Sequence, residues 1–294
     1  MLKERDLKGV YVPVVTPFLA NGELDPLSYE NYLNRLLAQD IQGIVVNGTT
    51  GESPTVRWEE VEELVRLSRI AAENANKRVP IVIGTGTNDT ATTVKRTEMA
   101  GLLGADAVLV STPYYNRPSQ EGIIEHYRTV ARTGVPVIAY EVPARTGVRL
   151  TVDTVRRILE LDGVIGLKDS SGGIELVSEL TRLGAKPVLC GEDIYYHAML
   201  SQGATGGIVA SANVRTSEFV EVSHLAGQGD IRSAKKAFDR LVPLIRALFQ
   251  ESNPSPLKWL LAWQDEISSD TVRLPMTPIT PELRAQLELI FSSK

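Results

Sequence analysis

Lys168 closes the apolar run Val164-Ile165-Gly166-Leu167, so its amine sits at the end of a segment with no other charge. An amine carried into such surroundings loses solvation, which lowers its pKa toward the neutral form. A neutral amine attacks a ketone to form an imine, and the protonated imine draws electrons from the neighbouring carbon. The plainer reading is a structural ion pair with Glu141 or Asp169, because charge networks also place lysines at strand ends. Tyr140 ends the preceding β-rich run, and its phenol could pass protons to that amine. Taken alone, an aromatic at a strand end is more often packing. Its case therefore rests on Lys168.

Other segments could hold what the lysine reacts with. Gly48-Thr49-Thr50-Gly51-Glu52 joins a strand pattern to a helix pattern. Its glycines allow a sharp turn, and amides at a helix N-terminus suit a small carboxylate. A plain turn with threonine caps is the alternative. Gly84-Thr85-Gly86 is a weaker, commoner turn. Arg145, in Pro143-Ala144-Arg145-Thr146-Gly147, could grip a second carboxylate with its planar fork, although most loop arginines are only solvated. His126, His197 and His224 lack metal-ligand spacing, and each reads as surface or packing. Cys190 reads as a small core residue. No nucleophile elbow of a serine hydrolase is present.

What would position these residues is a regular alternation of elements. Short β-rich runs fall at 10–15, 43–46, 80–84, 107–111, 136–140, 164–168, 187–191 and 206–210. Several are continuously apolar, as a parallel strand covered on both faces must be. Between them lie helix-patterned stretches such as Trp58 to Asn74 and Gln120 to Arg132. Strand alternating with helix means parallel pairing through right-handed crossovers. Eight units predict an α/β fold, a closed (β/α)8 TIM barrel, ahead of an open doubly wound sheet. Where an open sheet would carry a dinucleotide fingerprint, Thr16-Pro17-Phe18 follows the first strand. After about Thr216 only helices are read, over 219–227, 230–250, 256–264 and from Pro281 onward. The expected organisation is a catalytic barrel over 1–228 and a helical appendix over 229–294, packed on the barrel. In such barrels the reactive groups cluster at the C-terminal strand ends. That is where Thr16, Thr49, Thr50, Tyr114, Tyr115, Tyr140, Lys168, Asp169 and Gly191 fall.

Composition narrows the partners. With 43% hydrophobic and 23% charged residues, the chain has the balance of a globular domain able to bury a core. A net charge of -5 without a basic run argues against nucleic acid, and an anionic substrate would need local groups to hold it. One cysteine permits no intrachain disulfide, which fits a reducing compartment. A charged start at Met1 to Lys8 and the lack of a bilayer-length apolar run point to a cytoplasmic protein without a membrane partner.

The chain resembles the dihydrodipicolinate synthase and N-acetylneuraminate lyase family of pyruvate aldolases. GTTGES at Gly48, GTG at Gly84, TPYYNRPSQEG at Thr112, PARTG at Pro143 and GLKDSSG at Gly166 carry the likeness. NPSPLKW at Asn253 and RLPMTPIT at Arg273 extend it into the appendix, so it runs nearly end to end. The resemblance implies an imine between Lys168 and pyruvate, with the pyruvate carboxylate on Thr49 and Thr50. It implies a proton relay of Tyr140, Thr50 and Tyr115, the last from a neighbouring subunit, hence a homodimer or homotetramer. Arg145 would hold the carboxylate of aspartate semialdehyde, and Gly191 and Ile208 would line the pyruvate pocket. No metal or organic cofactor is implied. A 2-keto-3-deoxy sugar acid aldolase is the alternative within the family, and a non-catalytic keto-acid-binding barrel the alternative outside catalysis. Glu141 stands where asparagine is usual in the synthase branch, and would either act on the Tyr140 phenol or face away. Asp169-Ser170-Ser171 has a form also met in the sugar-acid branch. Trp58, Val61 and Thr92 occupy the positions resembling a feedback lysine site. The histidine and glutamate of that site are missing from the last two, which implies weak or absent inhibition by lysine.

Overall fold

The computed structural model describes residues 1–292; the last two residues of the 229–294 segment lie outside them. Eight strands form a closed barrel in chain order. They are β1 (Gly9–Pro13), β2 (Gly43–Val46), β3 (Ile81–Gly84), β4 (Ala107–Ser111), β5 (Val137–Glu141), β6 (Val164–Asp169), β7 (Val188–Cys190) and β8 (Gly206–Ile208). Helices fill the intervals: α1 (Pro26–Ala38), α2 (Trp58–Asn74), α3 (Thr90–Leu102), α4 (Gln120–Ala131), the short α5 (Pro143–Thr146), α6 (Val152–Leu159), α7 (Glu175–Arg182) and α8 (Tyr196–Ser201). After β8 come α9 (Thr216–Gly227), α10 (Ile231–Leu248), α11 (Ser255–Trp263) and α12 (Pro281–Ser292). The expected (β/α)8 barrel with a C-terminal helical segment is what the chain forms.

Two compact units make up the chain. The first comprises Met1–Tyr11 and Pro80–Val209. Its strands are parallel from β3 to β8, with one register shift between Val137 and Ile138 where β5 pairs with β6, and β8 pairs with β1 through Gly9 opposite Gly206. That closure needs a glycine: a Cβ on Gly206 would lie 2.1 Å from the Gly9 carbonyl oxygen. The strands are largely apolar up to their C-terminal ends because barrel filling covers one face and helices the other. Helices start at polar caps whose side chains accept backbone amides: Asp89 from Thr92 for α3, Ser119 from Gly122 for α4, Thr151 from Thr154 for α6.

The second unit comprises Val12–Val79 and Ala210–Lys294. Within it α1 is capped by Asp25, which accepts from Ser28 at 3.1 Å. The buried faces of α1 (Tyr29, Tyr32, Leu33, Leu36, Leu37) and α2 (Val61, Leu64, Val65, Ala71) recur at helical spacing. The α10 core face of Ala234, Ala237, Phe238, Leu241, Leu244 and Leu248 does the same. Most element ends fall within two residues of the sequence reading. The eighth strand stops at Ile208, not Ala210, because a 3-10 turn over Ala210–Asn213 begins there. The Asn213 side chain holds that turn by donating to the carbonyls of Ala210, at 2.7 Å, and Pro13, at 3.0 Å.

Candidate active site

Tyr140 and Lys168 are direct partners in the β5–β6 register, as are Glu141 and Asp169 one step further. Successive side chains of a strand point to opposite faces, so the two pairs separate. The Lys168 amine lies over the Tyr140 ring, 4.2 Å from its centroid, and the lysine is 6% exposed. Among the described residues it makes no ion pair, so the structural salt bridge with Glu141 or Asp169 is not formed. Gly191 supplies the room for the lysine stem. A Cβ there would come within 2.9 Å of Lys168 Cγ and Cε and 2.2 Å of Ser170 Oγ. Tyr127, buried on α4, fixes the strand end behind this pair: its hydroxyl accepts the Tyr140 amide at 3.3 Å and donates to the Val110 carbonyl at 2.9 Å.

The carboxylates on the other side form their own group. Glu141, fully buried, accepts the Leu150 amide at 2.9 Å and the Thr112 hydroxyl at 3.5 Å. Burial, reinforced by the Asp169 charge, pushes the Glu141 carboxyl up to about 7. Asp169 accepts the Ser171 amide at 2.8 Å, and burial raises its pKa also. Glu192 is raised chiefly by burial, with Asp169 and Asp193 adding to it. Arg149 supplies positive charge to this group and donates to the Ser171 carbonyl at 2.7 Å. Of the remaining residues singled out in this unit, Ile208 is buried in β8. Arg145 is exposed on α5 and makes no ion pair among the described residues. Tyr115 is 89% exposed and has a left-handed backbone, φ 72°.

In the second unit, Thr49–Gly51 form a single 3-10 turn after β2, and Glu52 ends it with φ 58°. The Thr50 hydroxyl accepts the Asn253 side-chain amide at 3.0 Å, leaving its own proton to donate elsewhere. Glu52 is buried against Lys258 at 2.8 Å and also accepts the Arg273 amide at 3.0 Å. Arg273 in turn grips Glu60 through both terminal nitrogens, at 2.6 and 2.7 Å, and its guanidinium lies 4.0 Å from the Phe18 ring centroid. Burial lowers the Lys258 pKa while Glu52 acts against the shift. The hydrogen bond from Arg273 holds Glu60 below the usual carboxylate range.

The family model for the Dihydrodipicolinate synthetase family matches residues 6–294. The chain belongs to that family. Family relatives include the 4-hydroxy-tetrahydrodipicolinate synthase of Syntrophobacter fumaroxidans, 37% identical across 95% of this chain and 96% of its own. The enzyme of the same name from Kosmotoga olearia is 40% identical, across 94% of this chain and 95% of its own. Among solved structures, the chloride-inhibited dihydrodipicolinate synthase from Acinetobacter baumannii, complexed with pyruvate, matches with a TM-score of 0.93. It is 36% identical, and the match covers 97% of this chain and 98% of that one.

Family likeness marked NPSPLKW and RLPMTPIT without giving them a task. Geometry gives Asn253, Lys258 and Arg273 one: they hold the Thr49–Glu52 turn. A visible signal existed for Lys258, the single charge inside the apolar helix Ser255–Trp263. Tyr127 carried no such signal, since a buried tyrosine on a helix reads as core.

Removing one member of a buried ion pair leaves the other charge uncompensated, at a cost of about 3–5 kcal/mol. Lys258→Met is therefore expected to lower stability by that amount in urea denaturation, and adding Glu52→Gln should recover part of it. The raised Glu141 pKa has the opposite kind of consequence. The folded chain keeps that proton up to about pH 7 while the unfolded chain releases it near the ordinary carboxylate value of 4.5. The resulting contribution is complete below pH 4.5 and lost as pH rises through 7, up to about 3 kcal/mol. Denaturation midpoints measured from pH 5 to 8 should fall less steeply in Glu141→Gln than in the unmodified chain.

Proposed function

We propose that the chain is a lysine-imine aldolase-type lyase that condenses pyruvate with L-aspartate 4-semialdehyde, giving 4-hydroxy-tetrahydrodipicolinate for lysine and diaminopimelate biosynthesis. The observation that carries this is the buried Lys168, free of any ion pair among the described residues and set over the Tyr140 ring. An amine that no carboxylate holds is available to add to a carbonyl carbon and form an imine. Family membership supplies the substrate pair.

In this reading the Lys168 amine adds to C2 of pyruvate, and the resulting carbinolamine loses water to give the imine. Loss of a methyl proton yields the enamine, which attacks the aldehyde carbon of aspartate semialdehyde. The amino group of that second substrate then adds to the imine carbon and expels Lys168, closing the ring. Tyr140, Thr50 and Tyr115 carry the protons that these steps release and consume. Thr49 and Thr50 hold the pyruvate carboxylate, Arg145 holds that of the second substrate, and Gly191 and Ile208 line the pyruvate pocket. Asn253 supports the Thr50 role by occupying an acceptor position on its hydroxyl and leaving the proton available. The protonated imine is itself the electron sink, so the route calls for no metal or organic cofactor. Tyr115, exposed and held in a left-handed conformation, suits a residue lent to a neighbouring subunit of a homodimer or homotetramer. No helix among the described residues is long and apolar enough to cross a membrane; we place the enzyme in the cytoplasm.

Purified protein given pyruvate and aspartate semialdehyde, coupled to a dihydrodipicolinate reductase, should consume NADPH. Lys168→Ala should lower that rate by at least about a thousandfold. In the same assay, millimolar lysine should inhibit weakly or not at all, given Val61 and Thr92. Turnover surviving in Lys168→Ala would refute the imine. Turnover only with a 2-keto-3-deoxy sugar acid would move the chain to that branch of the family.

A further inference from the structure

Glu141 lies next to Tyr140 in sequence but has no task in the reaction above. Its carboxylate is fully buried and reaches across to the amide of Leu150, nine positions further on. The contact closes the segment between the end of β5 and the start of α6 into a loop, and Arg145 stands near the middle of that loop on α5. Other ties are weaker or more open. Gln120 donates to the Arg149 carbonyl at 3.0 Å in an exposed contact, and Arg149 donates to Ser171 at 2.7 Å in a half-buried one. Inside the loop, Gly147 N–H donates to Pro143 and Thr146 Oγ1 to Val148, each at 3.0 Å, and the amides of Arg145 and Thr146 donate to Val142 at 2.9 and 3.1 Å.

We propose that Glu141 is a positioning residue for Arg145: it clips the far end of the Arg145 loop from inside and so governs capture of the second, carboxylate-bearing substrate, while leaving the imine step alone. The inference rests on the role given to Arg145 above. Glu141 faces Asp169 from β6, Arg149 from its own loop, and Tyr127 from α4, with the Thr112 hydroxyl between strands. All of these lie on the side away from the Lys168 amine, which stands over the Tyr140 ring. Clipping needs an acceptor oxygen more than a negative charge, because the partner is a neutral amide. A glutamine should therefore serve nearly as well.

The test compares Glu141→Ala and Glu141→Gln in the full chain by kinetics and by hydrogen exchange of the 142–151 segment. Glu141→Ala should raise KM for aspartate semialdehyde roughly tenfold or more, with KM for pyruvate within about twofold of the unmodified enzyme. Exchange across 142–151 should speed up in the same variant. Glu141→Gln should restore both readouts. Should the alanine variant not fold, Glu141→Leu fills the volume without accepting a hydrogen bond and takes its place. Unchanged exchange in the alanine or leucine variant would overturn the clip. So would equal damage to both KM values, or a glutamine variant as impaired as alanine. If the unmodified protein does not turn over aspartate semialdehyde, the proposed function fails, and the exchange measurement still decides whether Glu141 holds the loop.

Discussion

The pairing of β5 with β6 is the constraint from which the chemistry follows. One register step sets Tyr140 beside Lys168, and the period of two then sends Glu141 and Asp169 to the other face. A slip by a single residue would exchange the two sets, placing a carboxylate where the amine must stay uncompensated. Alternation thus does what a selective charge filter would do. Asp169 follows the lysine directly and Glu141 pairs with Asp169 across the strands, yet neither forms an ion pair with Lys168 among the described residues. Tyr127 secures the register from behind by bonding the amide of Tyr140 and the carbonyl of Val110.

The carboxylates themselves are costly, and the structure meets that cost in two ways. At Glu141, burial raises the pKa to about 7, so that part of the charge is neutralised by a proton, and burial pushes Asp169 in the same direction. At Glu52, a full ion pair with Lys258 and an amide from Arg273 supply the compensation. The second solution makes the helical segment the support of the Thr49–Gly51 turn. Without α11 and the segment around Arg273, Glu52 would be a buried charge without a partner. The Thr49–Gly51 turn that it terminates would lose its anchor, and the Thr50 hydroxyl would lose the Asn253 amide.

Much of this was legible in the sequence, and the illegible part has a common cause. Continuous apolar runs gave the strands, and helical spacing placed α2 at Trp58–Asn74, the observed limits. Lys168, Tyr140 and Gly191, picked out by their place at strand ends, are neighbours in space. Whether Glu141 would act on Tyr140 or face away could be posed from sequence and is answered by the register. Partners drawn from distant positions were not legible: Asn253 for Thr50, Lys258 for Glu52, Arg273 for Glu60, Tyr127 for the Tyr140 amide. Each depends on packing that brings together segments far apart in the chain. The strand ends that moved did so for similar reasons: β5 and β6 run on through acidic residues that read as stops, and β8 ends early where Asn213 turns the backbone.

Formation of an imine at Lys168 is the central claim, and reduction of the protein by borohydride in the presence of pyruvate tests it most directly. Peptide mass spectrometry should find one reduced pyruvyl group per chain, on the peptide containing Lys168 and on no other lysine, Lys258 included. An adduct on another lysine, or an unmodified chain after treatment, would contradict the account.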